Sequence, residues 1–228
     1  MSVLIGVYNG ERYLGEAIES ALGQSYSPIE VVVVDDGSTD GSACIAKSYP
    51  GVIVESQANA GNGSARNRAV ELSSGDVLAF MDADDRSRPD RLERQWAVLS
   101  SGGLDAVFGH VQEFVSPDLS PQQRASVRPA APEPSPWISA NLMMVTREAF
   151  ERVGPFSETL RVGVTVDWCA RAVDSGLRTA VLPEVVLERR LHLWNNGIRE
   201  SESKAQYVRV MKDALDRRRA LAKGAGPG

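Results

Sequence analysis

Residues 80–92 read FMDADDRSRPDRL. The apolar run VLAFM at 77–81 ends in three carboxylates within four positions: Asp82, Asp84 and Asp85. Like charges this close repel, so gathering them gains nothing unless a positive charge is met there. Hard divalent cations answer that need. Mg²⁺ and Mn²⁺ take oxygen ligands, and Mg²⁺ typically uses one or two carboxylates together with substrate phosphates. Asp-x-Asp alone is common, and the competing reading is a solvated helix-start cluster with Asp85 as cap. A second acidic pair, Asp35-Asp36 in VVVVDDGSTDG, also follows an apolar run. On composition it is a turn. Two acidic strand ends facing one crevice are harder to explain as turns.

The elements that must position these groups alternate in type. SVLIGV (2–7) reads as a buried strand, and 11–22 has apolar residues at helical spacing (14, 17, 18, 21, 22). EVVVVD (30–35) is β-branched and continuous, as a strand covered on both faces should be. A helix capped by Ser38 or Thr39 follows, then a strand at 51–55, a helix at 63–72 and a strand at 76–81. Ser87, Pro89 and Asp90 resemble an N-cap, a first-turn proline and a capping-box acid. This β-α alternation predicts an α/β domain with a mostly parallel sheet, whose ligands bind beyond the carboxyl ends of the strands. Tyr8-Asn9, Asp35-Asp36 and Asp82–Asp85 all stand at such ends.

Beyond residue 103 the pattern loosens. A strand pair is expected within 104–114, a strand over 137–145, a helix over 166–175 closed by Gly176, strands at 178–182 and 185–191, and a long charged helix over 200–223. The stretch SPDLSPQQRASVRPAAPEPSP (116–136) carries six prolines and no apolar periodicity, which predicts a mobile segment. The last helix is basic. Its apolar positions 207, 208, 211, 214, 215 and 221 suit packing on the domain or a homodimer partner, with a membrane-surface contact as the alternative.

A chain of 228 residues suits a single domain. Its formal net charge of −5 provides no global basic field for nucleic acid. No apolar run approaches a membrane span, and no secretory signal pattern opens the chain. Cys44 and Cys169 match neither a zinc spacing nor a disulfide framework. A soluble, reduced, cytoplasmic protein is the expectation. Dinucleotide binding would need G-x-G-x-x-G after the first strand. GVYNGERYLG lacks it, and in Gly61–Arg66 an arginine takes the place of the third glycine.

Three stretches taken together, VLIGVYNGERYLGEAIESALGQSY, VVVVDDGSTDGS and NAGNGSARNRAVELSSGDVLAFMDADD, closely resemble the nucleotide-sugar-binding half of family 2 glycosyltransferases of the GT-A fold. The resemblance runs unbroken over 2–100. It continues more loosely through SANLMMVTREAFERVGPF (139–156) to Arg189-Arg190-Leu191-His192. It implies a Rossmann-like three-layer GT-A domain over 1–228, with 2–110 binding the donor, 111–199 shaping the acceptor side and 200–228 forming a terminal helix and tail. It also implies an inverting transfer from a nucleotide-diphosphate sugar, most simply a UDP-sugar, to an acceptor hydroxyl on a saccharide, lipid, peptide or small molecule. By the same resemblance Val7, Tyr8, Asn9, Asp36, Arg66, Asp82 and Ala83 line the nucleotide sugar, with Asp36 accepting from the base. Asp84 and His192 serve the metal, Mg²⁺ or Mn²⁺, and Asp85 has no firm role.

One departure matters. Relatives carry an acidic pair at the start of the helix that here reads GVTVDWCARAVDSG, and Val164 and Thr165 occupy those places. Asp167 is the nearest carboxylate and the expected catalytic base. Against this stands an ion pair with Arg171 one turn on. A sugar-nucleotide-binding protein without transfer is therefore the alternative, with a dinucleotide-binding protein behind it.

Overall fold

The runs SVLIGV, EVVVVD, IVES and VLAFMD become strands β1 (Ser2–Val7), β2 (Glu30–Asp35), β3 (Ile53–Ser56) and β4 (Val77–Asp82). They pair in parallel in the order β3-β2-β1-β4. Helices α1 (Leu14–Leu22), α2 (Ser42–Lys47) and α3 (Asn62–Leu72) are the crossovers. The computed structural model describes residues 1–195 and four positions of the C-terminal segment, Val208, Val210, Lys212 and Asp216.

The strands are covered on both faces, which is why they are apolar throughout rather than alternating. One face packs Val3, Ile5, Val31 and Val33 against Leu14, Ile18 and Leu92. The other packs Leu4, Val32, Leu78 and Phe80 against Ala65, Phe150, Phe156 and Trp168.

The second half adds β5 (Arg86–Ser87), α4 (Arg91–Ser100), β6 (Ala106–Val115), α5 (Pro121–Ala125), β7 (Ser135–Trp137), a 3₁₀ turn (Ala140–Leu142), β8 (Met144–Thr146), α6 (Arg147–Val153), α7 (Val164–Asp174) and β9 (Thr179–Leu191). Strand β8 runs antiparallel to both β4 and β6, and β6 pairs in parallel with β9, so one mixed nine-stranded sheet continues across the described residues. The long parallel ladders outweigh the short antiparallel ones, as the sequence predicts.

Several expectations are corrected. Residues 104–114 form one strand rather than a pair, and the two strands expected at 178–182 and 185–191 are a single β9. Its ladder with β6 shifts register between Phe108 and Val111, so that Pro183 and Glu184 bulge out of the pairing. Gly109 sits at that shift because a Cβ there would meet Val186 Cγ2 at 2.6 Å.

Ser38 and Thr39 do not cap α2, which starts after Gly41. Ser87 lies in β5, and α4 starts after Asp90 without a side-chain cap.

Segment 116–136 is ordered. Ser120 and Gln123 form a capping box on α5. Leu119 and Val127 pack with Leu191, and Arg128 pairs with buried Glu113. Proline broke the periodicity without preventing these long-range contacts. The helix expected over 200–223 falls outside the described residues except at its four described positions, where Val210 is buried and Val208 exposed. No helix among the described residues is long and apolar enough to cross a membrane.

Candidate active site

Parallel register brings the polar strand ends together. Val7 stands opposite Asp35, and Gly6 opposite Asp82, so β1, β2 and β4 end at one level. Val7 is buried and Tyr8 projects into solvent. Asn9 has φ of 52°, a left-handed conformation that asparagine tolerates better than most residues. Its Oδ1 accepts from Thr39 N at 2.8 Å, and its own backbone N–H donates to Ser38 Oγ at 2.9 Å. The expected cap residues therefore clamp the first loop to the second.

Asp36 is buried and holds a third loop. Its Oδ1 accepts from Gln57 Nε2 and Ala60 N at 2.8 and 2.9 Å, and its Oδ2 accepts from Gly61 N at 2.8 Å. One lone pair on Oδ2 is left for a further donor.

Gly63, in the first turn of α3, has no room for a side chain. A Cβ there would fall on the carbonyl oxygen of Ser157. Close docking of 156–158 on α3 follows, and Asn67 fastens it by donating to Phe156 O and accepting from Phe156 N, both at 2.9 Å.

Asp82, Asp84 and Asp85 each offer an oxygen within 4.8 Å of the others. The surrounding protein engages one side of the cluster. Asp82 Oδ1 accepts from Arg66 Nη2 at 2.7 Å, and that buried guanidinium lies 5.6 Å over the Phe156 ring. Asp84 Oδ2 is 2.8 Å from His192 Nε2 and 3.3 Å from Asn195 Nδ2. Because His192 Nδ1 accepts from Trp194 N, the ring proton belongs on Nε2 and is donated to Asp84. As arranged, His192 is held between Asp84, through Nε2, and the Trp194 backbone N–H, through Nδ1.

Asp85 is fully enclosed. Its Oδ1 accepts from Arg190 N at 3.0 Å and its Oδ2 from Asn141 Nδ2 at 2.8 Å. Burial first, then the charges of Asp84 and Asp82, push its pKa well above the usual carboxylate range. Among the described residues, Asp82 Oδ2 and Asp84 Oδ1 have no hydrogen-bond partner. These two hard oxygen donors on one rim, both partly exposed, fit a divalent cation.

Sequence reasoning missed three supports. Arg190 is buried and donates through Nε to Asp84 O at 3.0 Å and through Nη1 to Ser116 Oγ at 3.1 Å, while Nη2 pairs with Glu16. Its place near the end of β9, two residues before His192, is a usable signal. Arg91, fully buried in α4, donates to Phe80 O at 2.9 Å and to Gln95 Oε1 at 3.0 Å. Burial pulls its pKa down to about 10, opposed by Asp85 and Asp82. Asn141 is a lone polar residue in the run ANLMMV, and nothing in its spacing marks it.

The expected catalytic helix is less complete. Val164 is buried at the start of α7, and Thr165 carries no ionisable group. Asp167 Oδ2 accepts from Arg171 Nε at 2.9 Å, and Arg171 reaches on to Val153 O and Pro155 O. The ion pair expected from the i,i+4 spacing is formed. Ala83, expected beside the donor, is half-buried between the cluster and the first loop.

The sequence profile of the family described as Glycosyl transferase family 2 matches residues 2–157. The chain belongs to glycosyltransferase family 2. It is 30% identical over 229 aligned residues to the glycosyltransferase alr2836 of Nostoc sp., covering 90% of this chain and 71% of that one. It is 32% identical to glycosyltransferase AglE of Haloferax volcanii, covering 82% of this chain and 65% of that one. Staphylococcus aureus TarS 1–349 in complex with UDP-GlcNAc superposes with a TM-score of 0.76 at 21% identity, covering 93% of this chain and 64% of that one. Its complex with UDP superposes with a TM-score of 0.73. The likeness shows the GT-A fold. This family 2 chain thus spans about two thirds of the length of these proteins. The profile match ends at 157, before the helix that carries Asp167 and the strand that leads to His192.

Proposed function

We propose that the chain moves a sugar from a nucleotide-diphosphate sugar, most simply a UDP-sugar, to an acceptor hydroxyl with inversion and with the help of Mg²⁺ or Mn²⁺. The observation that carries this is the alignment of the β1, β2 and β4 ends, with a carboxylate rim at one side and the Asp36 loop at the other. TarS, the fold neighbour, is seen with UDP and with UDP-GlcNAc, which supports a donor of that class.

In this reading the base lies by Tyr8 and Asp36, whose remaining lone pair takes a ring N–H. The ribose approaches Asp82 and Ala83, and Arg66 lends its charge to the phosphates. Asp82 Oδ2 and Asp84 Oδ1 would hold the cation, which when bound would neutralise charge on the departing diphosphate. His192 and Asn195 keep Asp84 turned toward it. The acceptor hydroxyl attacks from the opposite face of the anomeric carbon, so a single displacement inverts the centre.

Asp167 is the proposed base, at the price of exchanging Arg171 for the acceptor proton. That ion pair, together with Val164, supports a second reading in which the donor is bound and not transferred. Donor hydrolysis in the presence of Mn²⁺ separates the two. Turnover that falls about 10²–10⁴-fold in Asp167→Asn at unchanged donor affinity supports the base assignment. Turnover within threefold of wild type moves the base elsewhere, and donor binding without any turnover favours the second reading.

A further inference from the structure

Asn141 sits in the 3₁₀ turn between β7 and β8, buried to 3% exposure. Its Nδ2 donates to Asp85 Oδ2 at 2.8 Å, while its Oδ1, also enclosed, has no partner among the described residues. A buried carbonyl oxygen without a donor costs about 1–3 kcal/mol. The side chain thus gives up hydrogen bonding on one end to donate on the other. Leu142 and Met143 beside it are fully buried and apolar. A residue there for packing alone would be apolar too.

Among the described residues, Asp85 is the only member of the carboxylate cluster with both oxygens engaged, one by Arg190 N and one by Asn141. Its backbone N–H closes the loop onto Asp82 O at 3.4 Å. The position of Asp85 therefore sets the curvature of 82–85 and the directions in which Asp82 Oδ2 and Asp84 Oδ1 point.

We propose that Asn141 is a positioning residue for the cation site: through Asp85 it holds the 82–85 loop so that the Asp82 and Asp84 oxygens converge on one divalent ion. The inference rests on the metal-assisted reading of this site. It places the support for the cation on the acceptor-side half of the chain, in a segment far in sequence from the aspartates. Residues that orient metal ligands cost about 10–100-fold in metal affinity when removed.

The test uses the intact protein, UDP and Mn²⁺. UDP affinity is measured by calorimetry with and without Mn²⁺, and Tm is measured without either. In Asn141→Leu, which keeps the branched outline and removes the orphaned oxygen, Tm and metal-free UDP affinity should stay close to wild type, and the Mn²⁺-dependent gain should shrink about 10–100-fold. Asn141→Ala removes the donor outright, so it serves if the leucine variant does not fold, and its Mn²⁺ gain should shrink at least as far. A gain within threefold of wild type in a folded variant overturns the proposal. So does a parallel loss of Tm, metal-free affinity and Mn²⁺ gain, which would make Asn141 a packing residue. Absence of any Mn²⁺ gain in the wild type overturns the metal-assisted reading itself, and this inference with it.

Discussion

Glu113 is the staple of segment 116–136. It is buried at the end of β6, where its carboxylate accepts from both Nη atoms of Arg128, from Arg189 Nη1 at 2.9 Å and from Ala131 N at 3.1 Å. Hydrogen bonding from Arg128, the largest cause, holds its pKa at about 2 against an ordinary 4.5. At about 1.36 kcal/mol per pKa unit, that depression corresponds to roughly 3 kcal/mol of stability. Arg128 is 47% exposed, so solvent screening reduces this to about 1–2 kcal/mol. The sign follows from the lowered value: the contribution is fully present above the unfolded pKa near 4.5 and is lost as pH falls toward 2. Glu113→Gln should therefore lower stability by about 1–2 kcal/mol at pH 7, or about 2–8 °C in Tm, and by progressively less as pH falls below 4.5. Thermal unfolding of both proteins at pH 7 and pH 3 is the assay. Limited proteolysis should find new cleavage between 116 and 136 in the variant. A stability difference that is the same at both pH values would refute the ion-pair reasoning, and an unchanged cleavage pattern would show that the segment is held by something else.

Gly63→Ala should destabilise the fold by about 3 kcal/mol in a Tm measurement, because the added methyl meets the backbone of Ser157 rather than a movable side chain. Arg190→Gln should weaken Mn²⁺-dependent UDP binding and lower Tm together, since it uncouples Glu16 and Ser116 as well as the Asp84 carbonyl. Glu16 is half exposed, so the cost comes mainly from the buried acceptors left without a donor, about 1–3 kcal/mol. An unchanged Tm would mean that its enclosure overstates its role. Asp36→Ala should loosen 57–61 and reduce UDP affinity with or without metal, in contrast to changes at the aspartate rim, and retention of full metal-free affinity would separate that loop from the nucleotide.

The parallel half of the sheet was legible because its signals are local. Continuous β-branched runs mark doubly covered strands, and the polar residues that follow them mark the ligand edge. Register did the rest: once β1, β2 and β4 are parallel and in step, Asp35, Asp36 and Asp82 must share an edge. Local signals failed where two uses of one residue compete. Ser38 and Thr39 look like caps, yet they serve Asn9, and the Ser87–Asp90 stretch spends its first residue in a strand. Order in 116–136 comes from Glu113, Leu191 and Arg12, residues distant in sequence whose approach no window of the segment reveals. Asp84 and His192 were legible as a pair. Their actual relation, donor to acceptor, depends on a backbone N–H from Trp194 that carries no sequence signature.

The claim that the Asp82–Asp85 rim exists to hold a cation beside a nucleotide diphosphate is tested most directly by titrating UDP into the wild-type protein and into Asp84→Ala, each with and without Mn²⁺. The fold of the variant should survive, because the cluster is more repulsive than stabilising without a cation. The account predicts that Mn²⁺ tightens UDP binding to the wild type by at least about tenfold and leaves binding to a folded Asp84→Ala unchanged. An equal Mn²⁺ effect in both proteins, or none in either, would contradict it.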